Sequence, residues 1–180
     1  MSEKPTYLGL LNAIAVAETE AEGYLQCWAQ TTTHAGVRQV LNTVALREGE
    51  HGKAFAKRMC ELGYEVVWKE NPRAEEKRCV AADANLTDLQ KFERLGLIET
   101  NPDADDIFTG MFKDKSIDIQ TGQLLGRYIA EERDTGRMFR ACVAQLQSEC
   151  PTTPSTAVED RLARIEAILG QVCERLGASV

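Results

Sequence analysis

Apolar residues recur along most of this chain at the three-and-four spacing of an α-helix, not at the alternation of a strand. The first such stretch covers residues 5–33, with Tyr7, Leu11, Ile14, Ala21, Leu25 and Trp28 on one stripe. Thr31-Thr32-Thr33-His34 is polar and β-branched and predicts a turn, with Thr33 capping the helix that follows. That second helix carries Val37, Leu41, Val44, Phe55, Met59 and Leu62, and Gly63 is placed to end it. Tyr64 to Lys69 predicts an extended crossing segment, and Asn71-Pro72 a break. The helical pattern returns between Asp83 and Ile98 through Leu86, Leu89, Phe92 and Leu97, is interrupted around Asn101-Pro102, and resumes over residues 107–112. Ser116 and Asp118 open a further long helix with Leu125, Tyr128, Ile129, Phe139, Cys142, Val143 and Leu146, which stops at Cys150-Pro151. After a short linker, Thr156-x-x-Glu159 has the form of a capping box and starts a last amphipathic helix through Val158, Leu162, Ile165, Leu169, Val172 and Leu176. The expectation is an all-α chain: a helical bundle over residues 1–150, then a linker and C-terminal helix over 151–180, packed on the bundle or on a partner subunit.

Two of these stripes are broken by acidic residues. On the second helix the order is Val37, Leu41, Val44, Glu48, His51, Phe55, Met59. Glu48 and His51 stand three apart and therefore share one face, which is otherwise apolar. A carboxylate and an imidazole buried side by side are costly unless something compensates them. A metal ion does so, because Glu offers an anionic oxygen and neutral His a nitrogen. On the first helix Glu18 interrupts the stripe in the same way, and Glu18 and Glu48 lie equally far from a turn near residue 33. In an antiparallel hairpin they face each other at one level. Glu20 and Glu22 are alternatives reached by a small rotation.

Composition narrows the function without naming it. With 43% hydrophobic and 27% charged residues the 180-residue chain has the makings of a folded core. A formal net charge of −7 argues against nucleic acid and against an anionic membrane surface. No apolar run approaches the roughly 20 residues that span a bilayer, and the polar start does not read as a signal peptide. The six cysteines include no Cys-x-x-Cys pair, which argues against a zinc ribbon or a rubredoxin-type iron centre. A chain this long without an export signal is expected to be cytoplasmic with reduced thiols.

The fourth helical region repeats the second. Laying Tyr128-Ile129-Ala130-Glu131-Glu132 and the residues after it over Val44-Ala45-Leu46-Arg47-Glu48 aligns Glu132 with Glu48, Gly136 with Gly52 and Phe139 with Phe55. Thr135 falls on His51. Over most of residues 5–148 the chain therefore resembles the ferritin-like superfamily, most closely its rubrerythrin and bacterioferritin branch. The resemblance implies an antiparallel four-helix bundle with a long crossover, in which each half gives one Glu from its first helix and a Glu-x-x-His from its second. Carried over by position, Glu18 is a terminal ligand, Glu48 and Glu132 are bridging ligands, and His51 is the nitrogen ligand. Glu99 takes the symmetric place of the second half's first-helix carboxylate, with Glu93, Asp105 and Asp106 as alternatives. Thr135 stands where the second histidine would be, and Asp134, paired with Glu131, is a candidate ligand reached by a small rotation. The implied cofactor is iron, as a di-iron centre, or manganese, and the implied partners are metal ions and dioxygen or peroxide. Ferroxidase, peroxidase or oxygenase-type chemistry is the expectation, with a homodimer as the default assembly. The rival expectation is a bundle of the same kind that has lost its metal and serves as a scaffold. Tyr24 and Tyr128 are expected beside the centre, and His34 in a solvated turn.

Overall fold

The computed structural model describes residues 4–69, 71–98 and 107–149. Among them are five α-helices, one 3-10 turn and no strand, so the all-α expectation holds for these residues. The helices are α1 (Leu8–Thr31), α2 (Ala35–Glu61), α3 (Pro72–Ala82), α4 (Asp88–Arg94) and α5 (Ile119–Glu149), with the 3-10 turn at Ile107–Gly110. The expected C-terminal helix and Glu99, Asp105 and Asp106 lie outside the described residues.

α1 and α2 form an antiparallel hairpin whose turn is closed by His34, not by Thr33. The imidazole Nδ1 of His34 accepts from Val37 N at 3.1 Å, doing the work of a side-chain oxygen cap. α2 ends as its glycine predicts. Gly63 takes φ +83°, its N–H reaches Cys60 O at 2.9 Å and Tyr64 N reaches Met59 O at 2.9 Å, the paired bonds of a Schellman ending. The two helices approach closely because Gly52 has no side chain. A Cβ there would stand 2.6 Å from Thr19 Oγ1 and 3.2 Å from Thr19 N on α1.

The segment after α2 returns along α1. Asn12 holds it at both backbone groups of Val67, donating to the carbonyl at 3.2 Å and accepting from the amide at 2.7 Å. Asn71-Pro72 then starts a helix instead of breaking one. The Asn71 side chain accepts from Arg73 N at 3.2 Å and proline occupies the first turn, where its missing N–H costs nothing. The stretch expected as one helix from Asp83 to Ile98 is only α4. Asp83 ends α3 and its carboxylate accepts from Asn85 N at 2.8 Å, which turns the chain outward. Thr87 and Gln90 form a capping box that restarts it, and Gly96, at φ +63°, closes it.

Asp118 caps α5 by accepting from Gln120 N and Thr121 N, both at 3.0 Å. The same carboxylate receives Tyr7 Oη at 2.7 Å and Arg58 Nη2 at 2.9 Å, which ties the start of α1, the end of α2 and the start of α5 together. Two apolar clusters fill the interior. The lower one joins Tyr7, Leu11, Ile14, Phe55, Met59, Leu125, Tyr128 and Ile129. The upper one joins Leu25, Trp28, Val37, Leu41, Val44, Phe92, Phe139 and Val143. α5 contributes to the lower cluster near its start and to the upper near its end, so it runs parallel to α1 and antiparallel to α2. Between the clusters lies a polar layer.

Candidate metal centre

Glu18 of α1, Glu48 and His51 of α2, and Glu132 of α5 meet in that layer, each offering one donor atom within 4.8 Å of the others. Three of the four are buried, with Glu18 at 7%, Glu48 at 4% and His51 at 3% exposure. The imidazole Nδ1 of His51 stands 3.4 Å from Glu132 Oε1, 3.5 Å from Glu48 Oε2 and 3.9 Å from Glu18 Oε2. Glu48 Oε2, His51 Nδ1 and Glu132 Oε1 are buried without any hydrogen-bond partner. Such orphaned polar atoms are rare in folded proteins and ask for an explanation. Two ligands of one ion, each about 2.1 Å from it at tetrahedral or octahedral angles, stand roughly 3.0–3.4 Å apart. The distances from His51 Nδ1 to Glu132 Oε1 and Glu48 Oε2, 3.4 and 3.5 Å, are close to that. The donor set of carboxylate oxygens and one imidazole nitrogen fits iron or manganese.

The rest of the layer orients these groups. His51 Nε2–H donates to Glu131 Oε2 at 2.6 Å, which turns Nδ1 toward the three carboxylates. The other oxygen of Glu131 receives Arg127 Nε at 2.9 Å. Tyr128 donates to Glu18 Oε1 at 2.8 Å, and its ring packs edge-on against the imidazole with centroids 5.0 Å apart. Burial and the surrounding carboxylates hold the Tyr128 hydroxyl well above its ordinary pKa, so it remains a donor. Tyr24 is buried over the same carboxylates and is raised for the same reasons.

Burial opposes a charge on His51, yet Glu132, Glu18, Glu48 and Glu131 outweigh it and push the imidazole up to about 12. Burial, with Glu18 and Glu132 nearby, pushes Glu48 up to about 9, although His51 pulls the other way. Burial would raise Glu18 too, but His51, Glu48 and Tyr128 keep it below the usual carboxylate range. Without a bound cation the layer thus holds its charge down with protons on Glu48 and on His51.

The alternatives separate cleanly. Glu20 accepts from Asn71 Nδ2 at 2.8 Å, and Glu22 lies against Gly49, 3.8 Å from Lys53 Nζ. Glu93 is exposed on α4. Asp134 pairs with Arg47 at 3.0 Å and Arg137 at 2.9 Å and is not among the four converging residues. Thr135 is buried at 5% exposure, and its hydroxyl accepts from Arg47 Nη1 at 2.8 Å. Periodicity alone did not point to Glu131 or Arg47, because both lie beside the apolar stripe and reach inward by side-chain length. No protein-family model matches the chain, no curated protein matches its sequence, and no solved structure matches its fold.

Proposed function

We propose that this chain is a ferritin-like, non-haem metal protein that binds iron or manganese through Glu18, Glu48, His51 and Glu132. The observation that carries this reading is the set of three buried donor atoms without partners, Glu48 Oε2, His51 Nδ1 and Glu132 Oε1, facing one another between two apolar clusters. Leaving such atoms unpaired costs on the order of 1–3 kcal/mol apiece, and a bound cation recovers it. The antiparallel hairpin of α1 and α2, the return of residues 64–69 along α1, and the orientation of α5 suit an antiparallel four-helix bundle with a long crossover.

When bound, iron or manganese supplies one-electron redox chemistry toward dioxygen or peroxide, of ferroxidase, peroxidase or oxygenase type. The chain's own part is to hold that chemistry in place and dry. Glu131 fixes the imidazole, Tyr128 fixes Glu18, and the two apolar clusters exclude water above and below the layer. Glu131 and Glu132 are the most exposed members and mark the side facing solvent.

The test is metal content. Protein expressed with iron or manganese supplied is expected to retain metal through gel filtration, and Glu48→Ala and His51→Ala to lose it. Substoichiometric metal in wild type, unchanged by either substitution, replaces this reading with that of a metal-free helical scaffold. Consumption of hydrogen peroxide by the loaded protein then tests the redox part separately.

A further inference from the structure

The two halves of the polar layer are chemically unequal. On the α2 side, His51 presents a free Nδ1 to the carboxylates. On the α5 side, the residue three after Glu132 is Thr135, and its hydroxyl is already engaged by Arg47. Arg47 follows Val44 by three positions and precedes Glu48, so its side chain starts beside the layer. It crosses to α5 and spends its guanidinium there, on Thr135 Oγ1 at 2.8 Å, on Glu131 O at 3.0 Å and on Asp134 Oδ2 at 3.0 Å. That places a permanent positive charge one helical turn beyond Glu132, where a second nitrogen ligand would project, and an arginine does not lose its proton.

We propose that Arg47 takes the place of a second metal ion, so that the layer holds one ion and not a carboxylate-bridged pair. This inference rests on the metal-binding reading above and makes it more specific. A bridged pair has its ions about 3.5–4 Å apart, and each requires ligands of its own. The converging donors include one nitrogen, and the α5 position that would supply a second is Thr135, whose hydroxyl is held by Arg47. The carboxylates of Glu18, Glu48 and Glu132 with a neutral His51 carry three negative charges, which one trivalent ion neutralises. A second divalent ion would be set against the guanidinium instead. Arg47 is here a specificity-determining residue, acting on the number of ions and not on the reacting atoms.

The experiment counts ions. Wild-type protein is freed of metal, titrated with Mn(II) alone without oxygen, gel-filtered and weighed by native mass spectrometry, with electron paramagnetic resonance on the same samples. Wild type is expected to hold one Mn(II) per chain with the hyperfine pattern of an isolated ion. Arg47→Lys keeps the charge and is expected to hold one as well. The double variant Arg47→Met with Thr135→His removes the charge and restores a Glu-x-x-His on α5, and is expected to hold two with an exchange-coupled spectrum. Two ions in wild type overturn the inference while leaving the metal reading intact. One ion in a folded double variant also overturns it, since Arg47 is then not what limits the count. No ion in wild type overturns both.

Discussion

Glu131 accepts the Nε2–H of His51 at 2.6 Å while its other oxygen receives Arg127 from solvent. Burial would raise the Glu131 carboxyl, but His51 and Arg127 keep it below the usual range, so it stays an acceptor. The bond settles which imidazole nitrogen faces the cluster. Glu131→Ala frees the ring to rotate and is expected to weaken Mn(II) binding about tenfold to a hundredfold, the usual cost of losing such an outer partner. Glu131→Gln keeps an acceptor and is expected to lose less. Competition with a chromogenic chelator measures both, and equal affinity for wild type and Glu131→Ala would remove Glu131 from the positioning of His51.

The protons on the layer give a pH dependence of definite sign. Binding an ion requires His51 neutral and Glu48 ionised, and their pKa values stand at about 12 and about 9 in the metal-free protein. Metal binding near neutral pH therefore releases up to two protons, and affinity rises with pH. Stability of the metal-free protein runs the opposite way. Between the ordinary carboxyl value of 4.5 and about 9 the native state keeps a proton on Glu48 that the unfolded chain has lost, and His51 does the same between 6.5 and about 12. The native state binds more protons, so stability falls as pH rises from 6 to 9, by at most about 1.4 kcal/mol per pH unit for each group. Thermal melts at pH 6 and pH 9, with and without Mn(II), are expected to show a falling midpoint only in the metal-free series. Calorimetry in buffers of different ionisation enthalpy counts the protons released. A flat affinity from pH 6 to pH 8 would show that neither proton is displaced.

How much of this was readable from the chain follows from the range of each interaction. Glu18, Glu48 and His51 interrupt apolar stripes, and helix periodicity alone puts them on buried faces. Glu132 was found by its alignment with Glu48, and it meets the other three in the layer. Glu131 and Arg47 were not legible, because their roles depend on the rotation and spacing of α5 against α2, which no single helix encodes. The α3–α4 region was misread for a local reason. Asn71-Pro72 is equally a break and a helix start, and what decides it is whether the asparagine side chain turns back onto Arg73 N. Residue type favours Thr33 as the cap of α2 and a solvated His34, yet the imidazole Nδ1 meets the same need as a hydroxyl.

Gly49 and Gly52 face α1 one turn apart, and their substitutions are expected to differ. A methyl at Gly52 would press on Thr19 Oγ1, and on Thr19 N at 3.2 Å and Ala15 O at 3.4 Å, which are backbone and cannot step aside. Gly52→Ala is therefore expected to cost about 1–3 kcal/mol, net of the roughly 1 kcal/mol that alanine gains in a helix. It is also expected to weaken Mn(II) binding, because it drives apart the helices that carry Glu18 and Glu48. The nearest atoms to a methyl at Gly49 are the carboxylate end of Glu22, which is part-exposed and free to swing away. Gly49→Ala is expected to be neutral or to stabilise by up to about 1 kcal/mol. Urea unfolding of the two variants decides the point, and equal losses would show that the α1–α2 spacing is not set at Gly52.

Tyr128 separates the cost of the empty layer from the quality of the filled one. Its hydroxyl donates to Glu18 Oε1 at 2.8 Å, on a carboxylate that is itself buried. Tyr128→Phe keeps the ring that packs on His51 and on Phe55 but leaves a buried carboxylate oxygen without a partner. The expected loss is about 1–3 kcal/mol in the metal-free protein. An ion bound to Glu18 neutralises the same charge, so the loss is expected to shrink when Mn(II) is present. The variant then unfolds earlier than wild type without metal and nearly together with it when loaded. The same argument requires its Mn(II) affinity to change by less than that of Glu131→Ala, since Tyr128 steadies a carboxylate that metal also steadies, whereas Glu131 sets which nitrogen is offered. A destabilisation of equal size with and without Mn(II) would mean that Glu18 does not take part in binding.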